Sequence, residues 1–300
     1  MALNTTTPLR PGVCPACGSL HRDDAGFLVD ETIPLFHCRD CGLGALALED
    51  GTEEGYDEYW SDVNQQIYAD PAVISELTAK YEGYFKKVES EVPNKRFLDV
   101  GSGAGMSIGT AARMGFDATG VEPSEHAVAL SRRLFDVPVI RGLLGADDAL
   151  PRDYGMLALW DVIEHVGDPE ALLRTCHMHL APKGLLLLET PDEGTLLRRM
   201  VRTIGKLGIP GLDQRNNIYY RAHRFYFTRR AMTSLLERCG FGSVRYYGEH
   251  TMFGKELRKK KLYGGLSPMK EACLRTMFMA LKHLPVMANK MVVVAVKTSA

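Results

Sequence analysis

The sequence lacks the long apolar run that a membrane-spanning helix requires, since none of its segments approaches ~18 consecutive apolar residues. Its first residues, MALNTTTPLRPG, have neither the charged start nor the apolar stretch of a secretory signal peptide. Internal repeats and low-complexity tracts are also missing. These absences argue against the membrane, secreted and repeat classes and predict a cytoplasmic protein. A hydrophobic fraction of 45% and a charged fraction of 24% are typical of such a protein.

Acidic residues are scarce in the last third of the chain. Residues 195–300 contain 21 Lys and Arg but only 5 Asp and Glu, whereas residues 1–194 contain 15 and 32. The net charge of −1 hides this asymmetry. Such a distribution indicates a surface for an anionic partner, namely nucleic acid, phospholipid or a phosphorylated substrate. The alternative is that the basic side chains pair with acidic residues inside the fold.

Four of the seven cysteines occur in two Cys-x-x-Cys pairs near the start of the chain. Cys14 and Cys17 form the first pair, Cys38 and Cys41 the second, and a glycine follows each pair. Four thiolates at this spacing close the tetrahedral shell of a structural zinc ion. Disulfides are the alternative, which a cytosolic chain makes less favourable, and His37 is an alternative ligand. We predict a small zinc module whose loss, on removal of Cys38, leaves the rest of the chain largely folded.

The remainder of the chain alternates between strand-like and helix-like segments. Seven apolar runs are typical of strands: RFLDV, DATGVE, PVIRG, MLALWDV, GLLLLET, SVRYYGEH and KMVVVAVK. Helical patterns separate most of them, which predicts an α/β fold with a doubly wound, mostly parallel seven-stranded sheet. We predict three parts: a zinc ribbon over 1–50, an aromatic and helical connector over 51–95 that covers the next domain, and an α/β domain over 96–300 with a helical insert near 195–222.

The loop after the first of these strands lacks the third glycine of a dinucleotide-binding fingerprint. Gly101, Gly103 and Gly105 follow RFLDV, but Met106 occupies the position where that fingerprint needs glycine. A strand, a glycine turn and a helix bring backbone N–H groups close to a nucleotide-like ligand. The loop therefore predicts a ligand site, although such a loop alone does not identify the ligand.

Acidic residues end two of the other predicted strands. Glu122 lies 21 residues beyond Gly101, where a carboxylate can accept hydrogen bonds from both hydroxyls of a ribose. Asp161 closes the fourth strand within LWDVIEHVGDP. Ligands of open parallel sheets bind at the carboxyl ends of the strands. We therefore expect these acids beside the glycine loop.

Several motifs, taken together and in order, resemble the class I S-adenosylmethionine-dependent methyltransferases over about residues 96–245. They are LDVGSGAG, GVEPS, WDVIEHVGDP, LAPKGLLLLETP and HRFYFT followed by LLERCGF. The resemblance implies S-adenosylmethionine as the cofactor, and it accounts for Met106 because this cofactor carries no phosphate. The cofactor residues that it implies are Tyr59, Asp99, Gly101, Gly103, Gly105, Glu122, Pro123, Ser124, Asp147 (with Asp148 as the alternative), Asp161 and Val162.

Two histidines are candidates for the catalytic step. Methyl transfer needs mainly an acceptor atom held in line with the methyl group and the exclusion of water. A base is needed only if the acceptor must lose a proton. His165, in EHVGDP, and His223, in RAHRFYFT, are of the right type for that task at neutral pH. The alternative for each is a structural role in its loop.

Two acceptor classes are implied by resemblance to methyltransferases that carry an N-terminal zinc ribbon. The first is a small molecule, namely a sugar, a nucleotide-sugar, a glycolipid or a natural product, with phosphorylated and lipid-linked forms included. The rival is ribosomal or transfer RNA, gripped by the zinc ribbon and the basic last third. The Asn/Asp-Pro-Pro-aromatic motif of in-plane amine methylation is missing after the fourth strand, where the sequence reads DVIEHV. We expect no DNA partner.

The segment TLLRRMVRTIGKLG predicts an amphipathic helix beside the acceptor. Its apolar residues recur at helical spacing, and Arg198, Arg199 and Arg202 fill the other face. Such a helix can cover a substrate or lie on an anionic membrane surface. The run from Lys255 to Lys261 adds positive charge. We expect the three arginines to face the acceptor, so that neutralising them raises the acceptor KM.

Overall fold

The computed structural model describes residues 13–29, 32–47, 56–60, 62–145, 150–206, 218–249 and 288–298. No helix in these ranges is both long and apolar enough to cross a membrane. Asp147, Asp148 and the run from Lys255 to Lys261 lie outside the described residues.

Short strands and helices precede the α/β part of the chain. The first elements are β1 (Arg22–Val29), β2 (Ile33–Cys38), β3 (Gly44–Leu46), α1 (Tyr56–Tyr59), α2 (Asp62–Ala69) and α3 (Pro71–Val88), followed by a 3-10 turn at Glu89–Glu91. The next are β4 (Arg96–Val100), α4 (Met106–Arg113), β5 (Asp117–Glu122), α5 (Glu125–Phe135), β6 (Val139–Arg141), β7 (Tyr154–Trp160), α6 (Pro169–His179) and β8 (Leu180–Pro191). The last are α7 (Leu196–Lys206), β9 (Phe225–Tyr226), α8 (Arg229–Arg238), β10 (Phe241–Glu249) and β11 (Lys290–Lys297).

Several helices begin at side-chain caps, and three of them follow strands. The Ser124 hydroxyl accepts a hydrogen bond from the Ala127 N–H at the start of α5. The Asp168 carboxylate accepts one from the Ala171 N–H at the start of α6. Thr228 caps α8. Such caps satisfy backbone donors that the first helical turn leaves unpaired. Only two residues separate β5 from α5 and β9 from α8, so these two loops are short.

The large sheet confirms the predicted α/β fold. Its strand order is β10-β11-β8-β7-β4-β5-β6, with parallel pairing from β8 to β6 and antiparallel pairing of β11 with both of its neighbours. All seven residues of β7 are buried, as expected for a central parallel strand covered on both faces. The chain runs outward in opposite directions from β4 and β7, so the carboxyl ends of these two strands form a topological switch point.

A second, four-stranded sheet contains the N-terminal hairpin of β1 and β2. Its order is β1-β2-β3-β9, and its last strand comes from the second half of the chain. Gly44 pairs with Tyr226 and Ala45 with Phe225. Cys41 belongs to the same buried apolar cluster as Phe225. The boundary at residue 50 stays a prediction, but the N-terminal sheet shares both a strand and a core with the α/β part of the chain.

The helix α7 turns Arg198 and Arg202 inward, which corrects the expectation from the sequence for these two arginines, whereas Arg199 is exposed. Arg198 is 5% exposed and lies 3.2 Å from the carboxylate of Glu193, with which Arg202 also pairs. Leu196 and Met200, on the apolar side of the helix, are 51% and 52% exposed. Glu193 is completely buried, and a buried carboxylate needs cationic partners. Arg198 and Arg202 therefore neutralise this carboxylate instead of facing an acceptor.

Other basic residues of the last third also pair with acidic residues of the first two thirds. The pairs are Arg229 with Asp192, Arg238 with Glu170, Arg245 with Glu91, and Lys290 with Asp161 and Glu189. Within the described residues, ion pairs between the two parts of the chain thus balance some of the charge asymmetry of the sequence. This is the alternative that the sequence left open to an anionic partner.

Candidate cofactor and acceptor site

The glycine loop between β4 and α4 is closely packed on two sides. Gly101 and Gly103 have φ values of +72° and +51°, a region that favours glycine. A Cβ atom at Gly101 would lie 2.6 Å from Val162, and one at Gly103 would lie 2.8 Å from the ring of Trp60. The loop therefore runs between Val162, just after β7, and Trp60 of the connector, and neither Gly101 nor Gly103 has room for a side chain.

Glu122, at the end of β5, ties this loop to the next one. Its carboxylate accepts the Gly103 N–H at 2.9 Å and the Ser124 N–H at 3.0 Å, one on each oxygen. Burial raises the pKa of Glu122, while the two N–H groups lower it. A carboxylate has about four acceptor positions, so two remain for the hydroxyls of a ribose. Pro123, which lies between Glu122 and Ser124 in the sequence, is half-buried.

Asp99 lies beneath the glycine loop and is 1% exposed. Burial raises the pKa of its carboxyl well above the ordinary value, and the charge of Glu122 adds to the effect. Its Oδ1 atom has no hydrogen-bond partner among the described residues. A buried polar atom without a partner is rare in a folded protein, so this one is a candidate contact for a bound ligand.

The connector lies across the same loops. Asp57, in α1, accepts a hydrogen bond from the Ser124 hydroxyl at 2.6 Å. Tyr59 is 54% exposed, and its hydroxyl lies 3.2 Å from that of Tyr68. The ring of Trp60 packs on that of Tyr68 with a centroid distance of 5.0 Å. These contacts place an aromatic layer over the side of the glycine loop on which Trp60 lies.

A cluster of charged residues lies just beyond β7, and the sequence patterns did not predict all of its members. Asp161 has a φ of +55° and forms an ion pair with Lys290, the first residue of β11. Lys290 lies 3.1 Å from Glu189, which also pairs with Lys80 of α3. Burial disfavours the charge of Lys290, but the carboxylates outweigh it and raise its pKa. Single lysines in a helix and at a strand start carry no motif that could have identified them.

Two histidine rings and a carboxyl group meet beyond the end of β7. The ring centroids of His165 and His223 lie 4.7 Å apart, with an angle of 83° between the planes. Glu164 completes the cluster, and one nitrogen or oxygen atom from each of the three side chains lies within 4.8 Å of the others. The backbone N–H of His165 donates to the Val162 carbonyl at 3.0 Å. A single turn therefore connects this cluster to the residue that packs on Gly101.

Burial sets the charge of the histidine cluster. It lowers the pKa of His165, and it lowers that of His223 well below the ordinary value, to which the neighbouring His165 contributes. Burial and the charge of Asp161 raise the pKa of Glu164 to about 8. Near neutral pH the cluster thus holds two neutral imidazoles and a mostly protonated carboxyl group. Among the described residues, His223 Nδ1 and both Glu164 oxygens have no hydrogen-bond partner, so a proton, an acceptor or a cation could use them.

The four N-terminal cysteines converge as their spacing predicts. Their sulfur atoms all lie within 4.8 Å of one another, with the Cys14–Cys41 and Cys17–Cys38 distances at 3.6 Å and 3.5 Å. No disulfide joins them. A tetrahedral zinc–thiolate shell has sulfur–sulfur edges of about 3.8 Å, given zinc–sulfur bonds of about 2.3 Å. The donor set and its spacing therefore fit a structural zinc ion.

Comparison with known proteins identifies the family. Residues 71–245, more than half of the chain, match the family described as "Methyltransferase domain". A ubiquinone biosynthesis O-methyltransferase of Caulobacter sp. (strain K31) is 37% identical over 103 residues, which cover 32% of this chain and 40% of that protein. The mitochondrial ubiquinone biosynthesis O-methyltransferase of Schizosaccharomyces pombe is 29% identical over 119 residues, 37% of this chain and 43% of that protein. The matches thus span about two fifths of each of these relatives.

Solved structures agree on the fold. Magnesium protoporphyrin IX methyltransferase from Synechocystis PCC 6803, with bound S-adenosylhomocysteine, has a TM-score of 0.53 at 16% identity and covers 81% of this chain and 98% of its own. A putative methyltransferase from a complex with the Haloferax volcanii Trm112 activator has a TM-score of 0.54 at 12% identity, over 83% and 100% of the two chains. The chain belongs to the methyltransferase-domain family.

Proposed function

We propose that the protein is an S-adenosylmethionine-dependent methyltransferase that transfers the methyl group to a hydroxyl oxygen of a small molecule, with His165 and His223 at the acceptor. The observation that carries this proposal is the pair of half-buried, neutral imidazoles of His165 and His223. His165 lies one turn beyond Val162, which itself packs on the glycine loop. A neutral imidazole can take the proton that a hydroxyl must lose. The O-methyltransferase relatives support the same type of acceptor.

The residues around the glycine loop would hold the cofactor. Glu122 has two acceptor positions left for the ribose, and Asp99 offers an unpartnered oxygen beneath the loop. Trp60, with the neighbouring Tyr59, would exclude water on the connector side. S-adenosylmethionine supplies a methyl group on a sulfonium, which is already an excellent leaving group, so these residues need only bind and orient it.

The hydrogen bonds of His165 decide which of its nitrogens can act as a base. His165 Nδ1 lies 2.9 Å from the Ala222 carbonyl oxygen. A carbonyl only accepts hydrogen bonds, so Nδ1 carries the ring proton and Nε2 has the lone pair. In the proposed step, the acceptor oxygen bonds to the methyl carbon while the carbon–sulfur bond breaks and its electron pair stays on sulfur. The hydroxyl proton moves to His165 Nε2, and His223 borders the same space.

Within the described residues, charge pairing favours a small acceptor over RNA. An RNA-binding surface needs several lysines and arginines free to contact phosphates. Arg198 and Arg202 instead neutralise Glu193, and Arg229, Arg238 and Arg245 also pair with acidic residues. Sugars, nucleotide-sugars, glycolipids and natural products remain the predicted acceptors, with RNA as the alternative outcome of the test. A cytoplasmic location also stays a prediction.

The acceptor can be found by metabolite comparison. We expect a strain without this gene to accumulate one hydroxylated compound that lacks a single methyl group relative to its counterpart in the parent strain. Adding the purified enzyme and methyl-tritiated S-adenosylmethionine to extract of the deletion strain should label that compound. Label that enters the RNA fraction instead would replace the small-molecule proposal with its rival.

Replacing His165 with glutamine is expected to lower kcat about 10²–10⁴-fold, because the base that takes the hydroxyl proton is lost. In the unaltered enzyme, kcat/KM should rise with pH through the lowered pKa of this histidine, below about 6.5, and change again only where Glu164 loses its proton, at a pKa of about 8. The measurement is a pH profile of methyl transfer into the deletion-strain extract. His21→Gln, at an exposed histidine outside the site, is the control.

Treatment with a chelator distinguishes proton removal by His165 from activation of the hydroxyl by a metal ion. Glu164, His165 and His223 form a donor set that would also hold a divalent cation. We expect dialysis against EDTA, with or without added Mg²⁺, to leave the transfer rate unchanged at a fixed zinc content. If the rate falls on chelation and Mg²⁺ restores it, a cation activates the hydroxyl, and the assignment of His165 as the base is wrong.

Elemental analysis of the purified protein should find about one zinc ion per chain, because the four thiolates fit a closed tetrahedral shell. Cys38→Ser is expected to lose the metal. Cys176→Ser, at a buried cysteine outside the cluster, is the matched control and should keep it. A stoichiometric metal that survives substitution of all four N-terminal cysteines would contradict the zinc site.

A further inference from the structure

The four-cysteine module is attached to the segment that carries His223, and not only to its own hairpin. β3 pairs with β9, which begins two residues after His223. The Leu46 N–H also donates to the Arg224 carbonyl at 3.0 Å. The backbone directly after His223 is therefore held in register by the strand that comes after the second cysteine pair.

The opposite side of this segment is attached to the candidate acceptor site. The N–H groups of Arg224 and Phe225 both donate to the Glu164 carbonyl, at 2.7 Å and 3.2 Å. The carbonyl of Ala222 lies 2.9 Å from His165 Nδ1. Residues 222–226 are thus bonded to the cysteine module on one side and to the loop of His165 on the other.

Both cysteine knuckles also contact α8, which begins just after the same segment. The Thr228 hydroxyl, at the start of α8, donates to the Cys41 carbonyl at 2.5 Å. Arg238, in the last turn, donates to the carbonyls of Pro15 and Ala16 at 3.1 Å and 3.2 Å. The module therefore contacts this helix at both ends, and no long loop separates the helix from β9.

A buried charge cluster adds a further connection. Nε2 of His37, in β2, lies 3.1 Å from the carboxylate of Glu193, which also accepts a hydrogen bond from Tyr219 at 2.7 Å. The same carboxylate pairs with Arg198 and Arg202 of α7. One fully buried carboxylate thus joins the hairpin to the segments on either side of residues 207–217.

We infer that the metal-loaded cysteine module is a positioning element of the acceptor site: it fixes β9 and thereby the place of His223 opposite His165. The inference rests on the proposed function of the two histidines. Zinc binding orders the knuckles around four thiolates, and the contacts with β9 and α8 pass that order to residues 222–228. Among the described residues, the glycine loop and Glu122 make no such contact with the module, so cofactor binding should be largely independent of the metal.

Hydrogen–deuterium exchange of the full-length protein tests the inference. Zinc is removed with a thiol-reactive agent and EDTA, and the loaded and stripped proteins are compared. We expect exchange across residues 222–228 to speed up about tenfold or more, while the Gly103 amide changes less than about twofold. The affinity for S-adenosylhomocysteine should stay within about threefold, and methyl transfer into the deletion-strain extract should fall about a hundredfold, as for a misplaced catalytic group.

Two outcomes would overturn the inference. Unchanged exchange in residues 222–228 after complete zinc loss would mean that the module does not hold this segment. A parallel loss of S-adenosylhomocysteine binding would mean that zinc supports the whole fold. Both are read without the transfer assay, so they are distinct from failure of the proposed function, which a fully active His165→Gln variant would reveal.

The two knuckle glycines provide a pair of variants that keep all four cysteines. Gly18 and Gly42 have nearly equal φ values, +77° and +76°, so alanine strains both backbones equally. A Cβ at Gly42 would lie 3.0 Å from Thr228, whereas one at Gly18 has no atom within 4 Å. With zinc retained in both, only Gly42→Ala should speed exchange in residues 222–228 and slow methyl transfer. Equal effects of the two variants would contradict the inference.

Discussion

Replacing Gly105 with alanine is expected to lower the free energy of unfolding by about 2–5 kcal/mol and to abolish cofactor binding. Gly105 has a φ of +81° and caps the N-terminus of α4. A Cβ there would overlap the Ser131 hydroxyl and lie 2.9 Å from the Ser131 Cβ. Since Ser131 is completely buried in α5, the loop must move instead. Urea denaturation and calorimetric titration with S-adenosylhomocysteine measure the two effects.

Gly115 provides the matched control for this substitution. It lies just past the other end of α4 with the same φ of +81°, but no atom lies within 4 Å of the position of its Cβ. Gly115→Ala should therefore lose only the backbone term of about 1–2 kcal/mol and keep normal cofactor affinity. Adding Ser131→Gly to Gly105→Ala should restore part of the binding. Equal effects of the two alanine variants would show that packing against α5 is unimportant.

Replacing Glu122 with alanine is expected to weaken S-adenosylmethionine binding by about 2–4 kcal/mol, or about 30- to 1,000-fold. The variant loses the proposed ribose acceptor and also releases the N–H groups of Gly103 and Ser124, which the carboxylate now holds. Glu122→Gln keeps one acceptor oxygen but places an amide NH₂ group against a backbone donor, so it should be impaired as well. Calorimetric titration with S-adenosylhomocysteine is the measurement.

Asp117 is the control for Glu122, because it is an acidic residue at the other end of the same strand and its side chain is 76% exposed. Asp117→Ala should leave the cofactor affinity unchanged. An unaltered affinity in Glu122→Ala would refute the assignment of this carboxylate to the ribose. It would also leave its two backbone contacts as a purely structural feature of the loop.

The large sheet could be predicted because its strands are long apolar runs. Residues 96–100, 117–122 and 290–297 have the predicted bounds, and β7 and β8 differ from the predicted runs by a few residues. Periodicity and burial reinforce each other in such segments. The glycine loop and Glu122 were equally visible, since a strand end with glycines after it is a local pattern.

The short strands β3 and β9 could not be predicted in the same way. They have three and two residues, and they pair over a separation of about 180 positions. No periodicity can develop in so few residues, and no local pattern indicates so distant a partner. The cysteine spacing predicted a metal site, but it carried no information about the strand on which the module packs.

The predicted orientation of α7 was wrong for a different reason. An amphipathic pattern places arginines in water unless a buried counter-charge compensates them. Glu193 supplies that charge, but in the sequence it is one acid among many and comes after a buried strand without a distinctive motif. The outcome depended on a three-dimensional pairing, and hydrophobic periodicity does not contain that information.

The position of β11 has a consequence for synthesis of the chain. This strand forms from residues 290–297, yet it lies inside the sheet between β8 and β10. Until it emerges from the ribosome, both neighbours present unpaired backbone edges, and such edges recruit other strands and promote aggregation. A nascent chain interrupted before residue 290 would therefore keep two unpaired strand edges that can bind other strands. Synthesis through β11 pairs both edges and completes the sheet.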